Sequence, residues 1–536
     1  MIRMAHFKKN GCKKVYSNNQ LKVTPMKTLR LILGDQLNRN HSWFNTPDPN
    51  KLYFMAEMRQ ETDYVTHHIQ KIVGFFAAMR AFAEDLREQG HEVIYLNLDH
   101  PENTQDLQAN LLAQIKKHHI TQFEYLEPDE FRLDHQLKNI CKNLNLPSNC
   151  EDTEHFYTSK KELEEFFQGK KQMIMESFYR SMRKKHQILM LDGKPEGDQW
   201  NFDQDNRKKW KGSPDIPAIV HCNNEVGDLI KLLKKEGVNS IGNLQNETLD
   251  WPINLTQAEN LLDYFCEHLL ENFGNYQDAM HTQEHFLFHS RLSFALNTKI
   301  ISPKRVIDKA IETYRKQTSP KISMNQLEGF VRQILGWREY MRGIYWKEMP
   351  TYKNLNRLEN QNALPDFYWT ADTKMNCMHH AIKQSLDHAY AHHIQRLMIT
   401  GNYALLTQSH PDQVDQWYLG IYIDAIEWVE LPNTRGMSQW ADGGIVATKP
   451  YVSSGNYIQK MSNYCDSCQY NHKKKTGEDA CPFNSLYWNF LSEKQAHFSK
   501  NNRMAMMLSL LRKMDENELS DIKKRAQLIM ANPQLY

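Results

Sequence analysis

Four cysteines, Cys377, Cys465, Cys468 and Cys481, lie inside the most aromatic and histidine-rich stretch of the sequence. Cys465-Asp466-Ser467-Cys468 sets two thiolates at chelating spacing. Cys481-Pro482 adds a third, and Cys377 is so far upstream that only a fold can bring it in. Four thiolates suit either a zinc ion or an iron–sulfur cluster, and the set does not name its metal. Trp369, Trp417, Tyr418, Trp428, Trp440 and Tyr464 crowd the same region. An electron-transfer protein places such side chains around its centre; a helical core buries them around a structural zinc. Histidines recur in pairs, His67-His68, His379-His380 and His392-His393. An imidazole that titrates near neutrality can move a proton. His388 and His392, four apart, have the spacing of a helical metal pair, although the cysteines offer a metal better ligands.

The elements that must position these groups follow from length and pattern. A chain of 536 residues has material for more than one domain. Mean hydropathy is -0.70, and no run of about 18 apolar residues exists to cross a bilayer. The start lacks the apolar segment of a secretion signal, so a cytoplasmic location is expected. Nine cysteines in so long a chain are not a disulfide scaffold, and a reducing setting suits thiolate ligands. Cys12, Cys141, Cys150, Cys222 and Cys266 are scattered and read as ordinary thiols. Net charge is +2, which does not advertise nucleic-acid binding for the molecule as a whole. Lys160-Lys161, Lys170-Lys171, Arg183-Lys184-Lys185, Arg207-Lys208-Lys209 and Lys234-Lys235 nevertheless make the middle locally basic. Solvated helix faces explain most such pairs; a phosphate-facing groove is the sharper reading.

Residues 1–27 are polar, lack an apolar period and are expected to form a disordered extension. Over 28–150, strand-like runs (Leu29–Leu33, Leu52–Met55, Val93–Leu98, Phe123–Leu126) alternate with helical ones. Ile69, Ile72, Val73, Phe76, Met79, Ala83 and Leu86 mark one face of a long helix, which Gly90 ends. This alternation predicts a parallel sheet with helices on both faces and a ligand beyond the strands' carboxyl ends, where Gly34-Asp35-Gln36 falls. Neither a G-x-G-x-x-G nor a P-loop is present, which disfavours ordinary dinucleotide binding and NTP hydrolysis. Residues 151–255 are charged and aromatic with weak period, and read as a long interdomain connector. Residues 256–536 are helical in pattern, with Leu261, Leu262, Phe265, Leu269 and Leu270 on one helix and Leu327, Phe330, Val331, Ile334 and Leu335 on another. The expected fold class is α/β followed by all-α.

Two stretches carry a resemblance. His289-Ser290-Arg291-Leu292-Ser293 with Ile301-Ser302-Pro303, and Glu328 through Tyr340, resemble the flavin-binding helices of the photolyase and cryptochrome superfamily. Ala389-Tyr390-Ala391-His392-His393-Ile394-Gln395-Arg396-Leu397-Met398, Trp428 through Asn433 and Thr448-Lys449-Pro450-Tyr451 resemble its prokaryotic iron–sulfur branch, as do the four cysteines. The resemblance runs from about residue 28 nearly to the end.

That resemblance implies light-driven repair of (6-4) pyrimidine photoproducts in UV-damaged DNA by a monomer. The rival expectations are a cryptochrome-type photoreceptor, a cyclobutane dimer photolyase and a four-cysteine zinc DNA-binding protein. It implies a [4Fe–4S] cluster on Cys377, Cys465, Cys468 and Cys481. It implies FAD on His289, Ser290, Ser293, Arg396, Asp424, Glu430 and Asn433, with Glu430 facing flavin N5. A 6,7-dimethyl-8-ribityllumazine antenna is expected on Gly34, Asp35, Glu61 and Tyr64. His392 and His393 match the lesion histidines, and His393 is taken as the acid. Tyr451 and Asp278 complete the catalytic expectation, with Asp203, Arg207 and Met437 nearby. Asp203 and Asp278 would hold either Mg2+ or polar base edges. Trp369, Trp417 and Tyr418 match an aromatic relay. Each residue also has a plain reading: serines cap, paired charges tie helices together, aromatics fill cores.

Overall fold

The computed structural model describes residues 26–170, 172–318 and 321–536. Apart from Met26 and Lys27, the extension expected over 1–27 lies outside them, and so does Cys12. Five strands form one parallel sheet: β1 (Thr28–Leu31), β2 (Lys51–Ala56), β3 (Glu92–Leu96), β4 (Gln122–Leu126) and β5 (Ser148–Glu151). Their order is β3-β2-β1-β4-β5, with Leu29 opposite both Leu52 and Phe123. The first four match the apolar runs. The fifth, Ser148-Asn149-Cys150-Glu151, is a polar edge strand with no run to betray it. Strand order reverses between β1 and β4, so a crevice opens there beyond the carboxyl ends of the strands.

Leu29, Leu31, Leu52, Phe54, Phe123 and Tyr125 pack one face of the sheet. The helix Ile69–Glu88 buries Ile72, Val73, Phe76, Met79, Ala83 and Leu86, as its period predicts. Gly90 follows at φ +91, the left-handed turn that closes a helix and that glycine adopts without strain.

Residues 151–255 are more folded than a connector. Helices Lys160–Phe167 and Met175–His186 lie against the helical half: a Cβ at Gly343 would meet the Phe167 ring, and one at Gly336 the Tyr179 ring. Lys, Glu and Arg dominate both helices and mask the buried Leu163, Phe167, Phe178 and Tyr179. From Leu255 onward the chain is helical, and π-turns interrupt it at Phe265–Leu269, Arg332–Arg338, Arg396–Gly401 and Pro432–Ser438. Such turns insert one extra residue, re-aim side chains, and are frequent at functional sites. Among the described residues, no helix is long and apolar enough to cross a membrane.

Candidate functional site

Arg396 opens the third of these π-turns, and Asp424 follows the helix Pro411–Ile421. Arg396 Nη2 donates to both Asp424 carboxylate oxygens, at 2.9 and 3.1 Å, and its Nε donates to the Ala391 carbonyl at 2.7 Å. Its guanidinium lies 3.8 Å from the Tyr422 ring centroid. Burial works against the arginine's charge, but Asp424, Tyr422 and Glu430 together outweigh it and hold the cation firmly. Glu430 is buried and accepts a hydrogen bond from the Thr434 hydroxyl. Burial raises its carboxyl, with Arg396 the main opposing influence. Asn433 spends its amide N–H on the Val429 carbonyl at 2.7 Å, within its own turn.

The loop 289–293 holds groups that lack partners. His289 Nε2 and Ser293 Oγ are buried with no hydrogen bond. Orphaned groups of this kind are costly unless a ligand meets them, and they fit a cofactor's polar groups. Ser290 is different: its hydroxyl accepts from Leu292 N at 3.4 Å, a local turn contact. Arg291, at φ +57, shapes the loop. It donates to the Val220 carbonyl and to Asp250 Oδ2, both at 3.0 Å. Sequence reasoning missed this anchor because Asp250 is 41 residues away, in a stretch without pattern.

The paired histidines part company. His392 is buried and stacks on His289, with ring centroids 4.8 Å apart and planes at 14°. Both its ring nitrogens lack partners. His393 keeps exposed surface although protein encloses it, the combination expected of a ring lining a cavity. Burial, then Arg396, lowers its imidazole to about 4. Asp203 meets two guanidinium groups: Arg207, one turn on, and Arg332, whose Nη2 donates to Oδ1 at 3.1 Å. Burial and the neighbouring Asp203 push Asp278 up to about 7, against Arg207 and Arg332. Burial, then Asp203, raises the Tyr451 phenol, so Tyr451 belongs to the same group. Met437 is buried on the Pro432–Ser438 turn. Among the described residues no three His, Cys, Asp or Glu side chains converge on a single-ion point. With Asp203 held by two arginines, these residues as placed do not fit Mg2+.

Two of the expected relay residues, Trp417 and Tyr418, pack together with two rings the sequence did not single out. Trp417 and Tyr418 are 5.1 Å apart between ring centroids. The Tyr418 hydroxyl donates to the Arg396 carbonyl at 2.7 Å, and its ring lies 5.6 Å from Tyr422, the residue beneath the Arg396 guanidinium. On the other side Trp417 is 5.0 Å from Tyr368 and donates Nε1–H to the Tyr368 carbonyl at 3.0 Å. Trp369 is next in the chain and 42% exposed, but none of these ring contacts includes it, so the packed series ends at the buried Tyr368. Tyr368 and Tyr422 sit beside stronger candidates in the sequence, and only packing distinguishes them.

Gly34, Asp35, Glu61 and Tyr64 line one cavity at the carboxyl ends of the strands, with Lys71, Glu130 and Glu427 also in its wall. Asp35 is not free, because Lys299 donates to its carboxylate at 3.1 Å. Glu61 accepts from Arg132 at 2.8 Å, and that guanidinium lies 5.1 Å from the Tyr64 ring. Lys71 is buried and its Nζ donates to the Leu419 carbonyl at 2.7 Å; burial lowers its ammonium to about 7.

The four cysteines are free thiols. Cys377 starts the helix Asn376–His388, Cys465 and Cys468 bracket a tight turn, and Cys481 caps the helix Pro482–Glu493. Burial pushes the Cys377 thiol well up, and the proximity of Cys481, Cys465 and Cys468 adds to it. Burial likewise lifts Cys465 and Cys481 to about 12. Thiols this buried become thiolates only beside a cation, yet among the described residues no three of them converge as ligands of one ion.

The profile described as "Deoxyribodipyrimidine photo-lyase-related protein" matches residues 30–249. A protein of Agrobacterium fabrum named "(6-4) photolyase" is 40% identical over 509 residues, covering 94% of this chain and 98% of its own. Among solved structures, a bacterial class III photolyase from Agrobacterium tumefaciens superposes with TM-score 0.56 at 13% identity, over 91% of this chain and 100% of its own. A Synechocystis cryptochrome superposes with TM-score 0.56 at 12% identity, over 82% and 86%. Both structural likenesses speak for the fold alone. The long, near-complete match at 40% identity, together with the profile match over residues 30–249, means that this chain belongs to the photolyase/cryptochrome superfamily, among the deoxyribodipyrimidine photolyase-related proteins.

Proposed function

We propose that the protein is a light-driven DNA repair enzyme acting on (6-4) pyrimidine photoproducts. The observation that carries this reading is the convergence of His393, with its accessible ring, and the Arg396–Asp424 and Glu430 groups on one enclosed region. FAD would rest on His289, Ser290 and Ser293 through its phosphates, on Arg396, Asp424 and Asn433 along its ring system, and on Glu430 at N5. Bound, reduced and illuminated, FAD supplies the electron that opens the lesion. The protein's own groups do the rest. Glu430, buried and held up, stands ready to accept a hydrogen bond. His393 is neutral in the unliganded protein, and the phosphate that accompanies a flipped lesion would raise it into the range where it can hold and return a proton. Asp278 keeps its proton up to about pH 7, so it can donate to a base edge without repelling phosphate. Tyr451 and Met437 shape the wall.

Two further groups belong to the same reading. A cluster spans a wider set of thiolates than one ion does, so Cys377, Cys465, Cys468 and Cys481 suit [4Fe–4S] better than zinc. A lumazine antenna suits the cavity of Gly34, Glu61 and Tyr64, with Asp35 fixed in place by Lys299. Tyr422, Tyr418, Trp417 and Tyr368 would offer the flavin a path toward outside reductant, with the exposed Trp369 as the expected last step, and basic residues of 160–209 would face DNA as the protein acts alone.

The test is repair of synthetic DNA carrying a single (6-4) lesion under blue light, with a cyclobutane dimer as competitor. Selective loss of the (6-4) lesion is expected. Repair of the cyclobutane dimer alone would overturn the lesion assignment. An untouched lesion beside a light-responsive flavin spectrum would move the protein to the photoreceptors.

A further inference from the structure

Buried hydrogen bonds join the cysteine centre to the repair cavity. Tyr464 immediately precedes Cys465, and Gln395 lies between His393 and Arg396. Gln395 Nε2 donates to the Tyr464 hydroxyl at 3.1 Å and to Gln384 Oε1 at 3.0 Å. Gln384 stands on the helix that begins at Asn376, beside Cys377, and its own Nε2 donates to the His285 carbonyl at 3.1 Å. Asn376 Nδ2 donates to the Tyr464 carbonyl at 2.7 Å. From the same helix His380 lies parallel to the Tyr464 ring, 5.9 Å away with planes at 9°. Tyr464, Gln395 and Gln384 are 1%, 2% and 3% exposed. Buried amides and phenols have no water to fall back on, so a shift in one is passed to its partners. The segment that receives it is short. Helix His393–Gln395 has three residues and runs straight into the Arg396–Gly401 turn, so its anchors largely decide where it sits.

We infer that Tyr464 is the positioning residue that couples the cysteine centre to the flavin and lesion cavity. The occupancy and charge of that centre fix Tyr464, and Gln395 carries its position to His393 and Arg396. The inference rests on the iron–sulfur and flavin reading above. Tyr464 touches neither cofactor nor substrate in this role, so its loss uncouples the two centres and abolishes neither.

The test uses the full-length protein and crosses its readouts. Iron and flavin content of the wild type come first; absence of either overturns the cofactor reading, and the inference with it. Tyr464→Phe, which removes one oxygen, is then read at the flavin by visible circular dichroism and midpoint potential. Gln395→Leu, which neighbours no cysteine, is read at the cluster by electron paramagnetic resonance. Each variant is expected to move the distant signature while keeping iron and flavin at wild-type ratios. The double variant should move each no further than the single change does. Unmoved signatures in folded, fully loaded variants, or additive shifts, overturn the coupling. Should Tyr464→Phe lose iron, Gln395→Leu carries the test alone: a wild-type cluster spectrum there refutes the inference.

Discussion

His393 and Asp278 depart from ordinary titration in opposite directions and for one reason. Burial lowers the imidazole to about 4 and, with Asp203, raises the carboxyl to about 7. Between those values both are neutral, which spares a flipped, largely uncharged base a desolvated counter-charge. Proton donation by His393 should then matter only once the lesion is bound. His393→Ala is expected to slow repair of a synthetic (6-4) lesion by about 10²–10⁴-fold under saturating light, with flavin absorption and DNA affinity nearly unchanged. Asp278 makes a stability prediction with a definite sign. Its folded pKa lies above the ordinary 3.8, so between about pH 4 and 7 the folded state holds a proton that the unfolded state has released. Stability contributed by this group is full below about pH 4 and is lost as pH rises through about 7. Asp278→Asn should remove that slope from a plot of Tm against pH. The sequence named both histidines but could not rank them. What ranks them is the stack of His392 on His289, a contact across about a hundred positions that no local pattern encodes.

Elements were legible where one period dominates. The first four strands and the Ile69–Glu88 helix announced themselves because each presents one apolar face. Strand β5, at the polar edge, and the charged helices of 160–186 did not. Nor did the π-turns, since an extra residue in a helix breaks the 3.6 period it interrupts. Yet these turns bring Arg396 and Glu430 into range of each other. Gly401 shows how tightly two of them meet. A Cβ there would fall inside contact distance of Ser438 Oγ and 2.7 Å from the Arg396 carbonyl oxygen, with the Tyr418 hydroxyl at 3.1 Å. Backbone cannot yield cheaply, so Gly401→Ala should force the Arg396–Gly401 and Pro432–Ser438 turns apart. The expected cost is about 1–3 kcal/mol of stability, seen in denaturant unfolding, together with a lower flavin-to-protein ratio on purification. An unchanged flavin ratio would mean that the turns tolerate separation. The relay is likewise a property of packed elements. Tyr368→Leu should leave flavin binding intact and slow its photoreduction by external thiol, because it removes the ring packed on Trp417 on the side away from Tyr418.

At the scale of the whole molecule, the two halves meet through charge as well as apolar surface. Lys299, only 1% exposed, comes from the helical half and donates to Asp35 at 3.1 Å and to Asp129 at 2.8 Å. Asp35 follows β1 and Asp129 follows β4, so one ammonium spans the switch point of the sheet. Arg342 adds a second cation, 3.3 Å from Asp129. The sequence placed Asp35 correctly at a strand's carboxyl end but assigned it to a ligand. Its lysine partner is 264 positions away, beyond any local reading. The cavity beside it is therefore built jointly, its floor from strand ends and its roof from Ile426, Glu427 and Trp428. Removing the lysine separates structural from ligand roles for Asp35. Lys299→Met leaves Asp35 buried without a cation and should cost roughly 3–5 kcal/mol in denaturant unfolding, the range for breaking a buried pair. Lys304→Met, which removes an exposed i,i+4 pair with Asp308, should cost less than about 1 kcal/mol in the same experiment. Adding Asp35→Asn to Lys299→Met should recover part of the loss, because the stranded charge disappears while Asp129 keeps Arg342. A loss no larger than that of the surface control would mean that apolar packing alone holds the halves together, and Asp35 would then be free to serve the cavity.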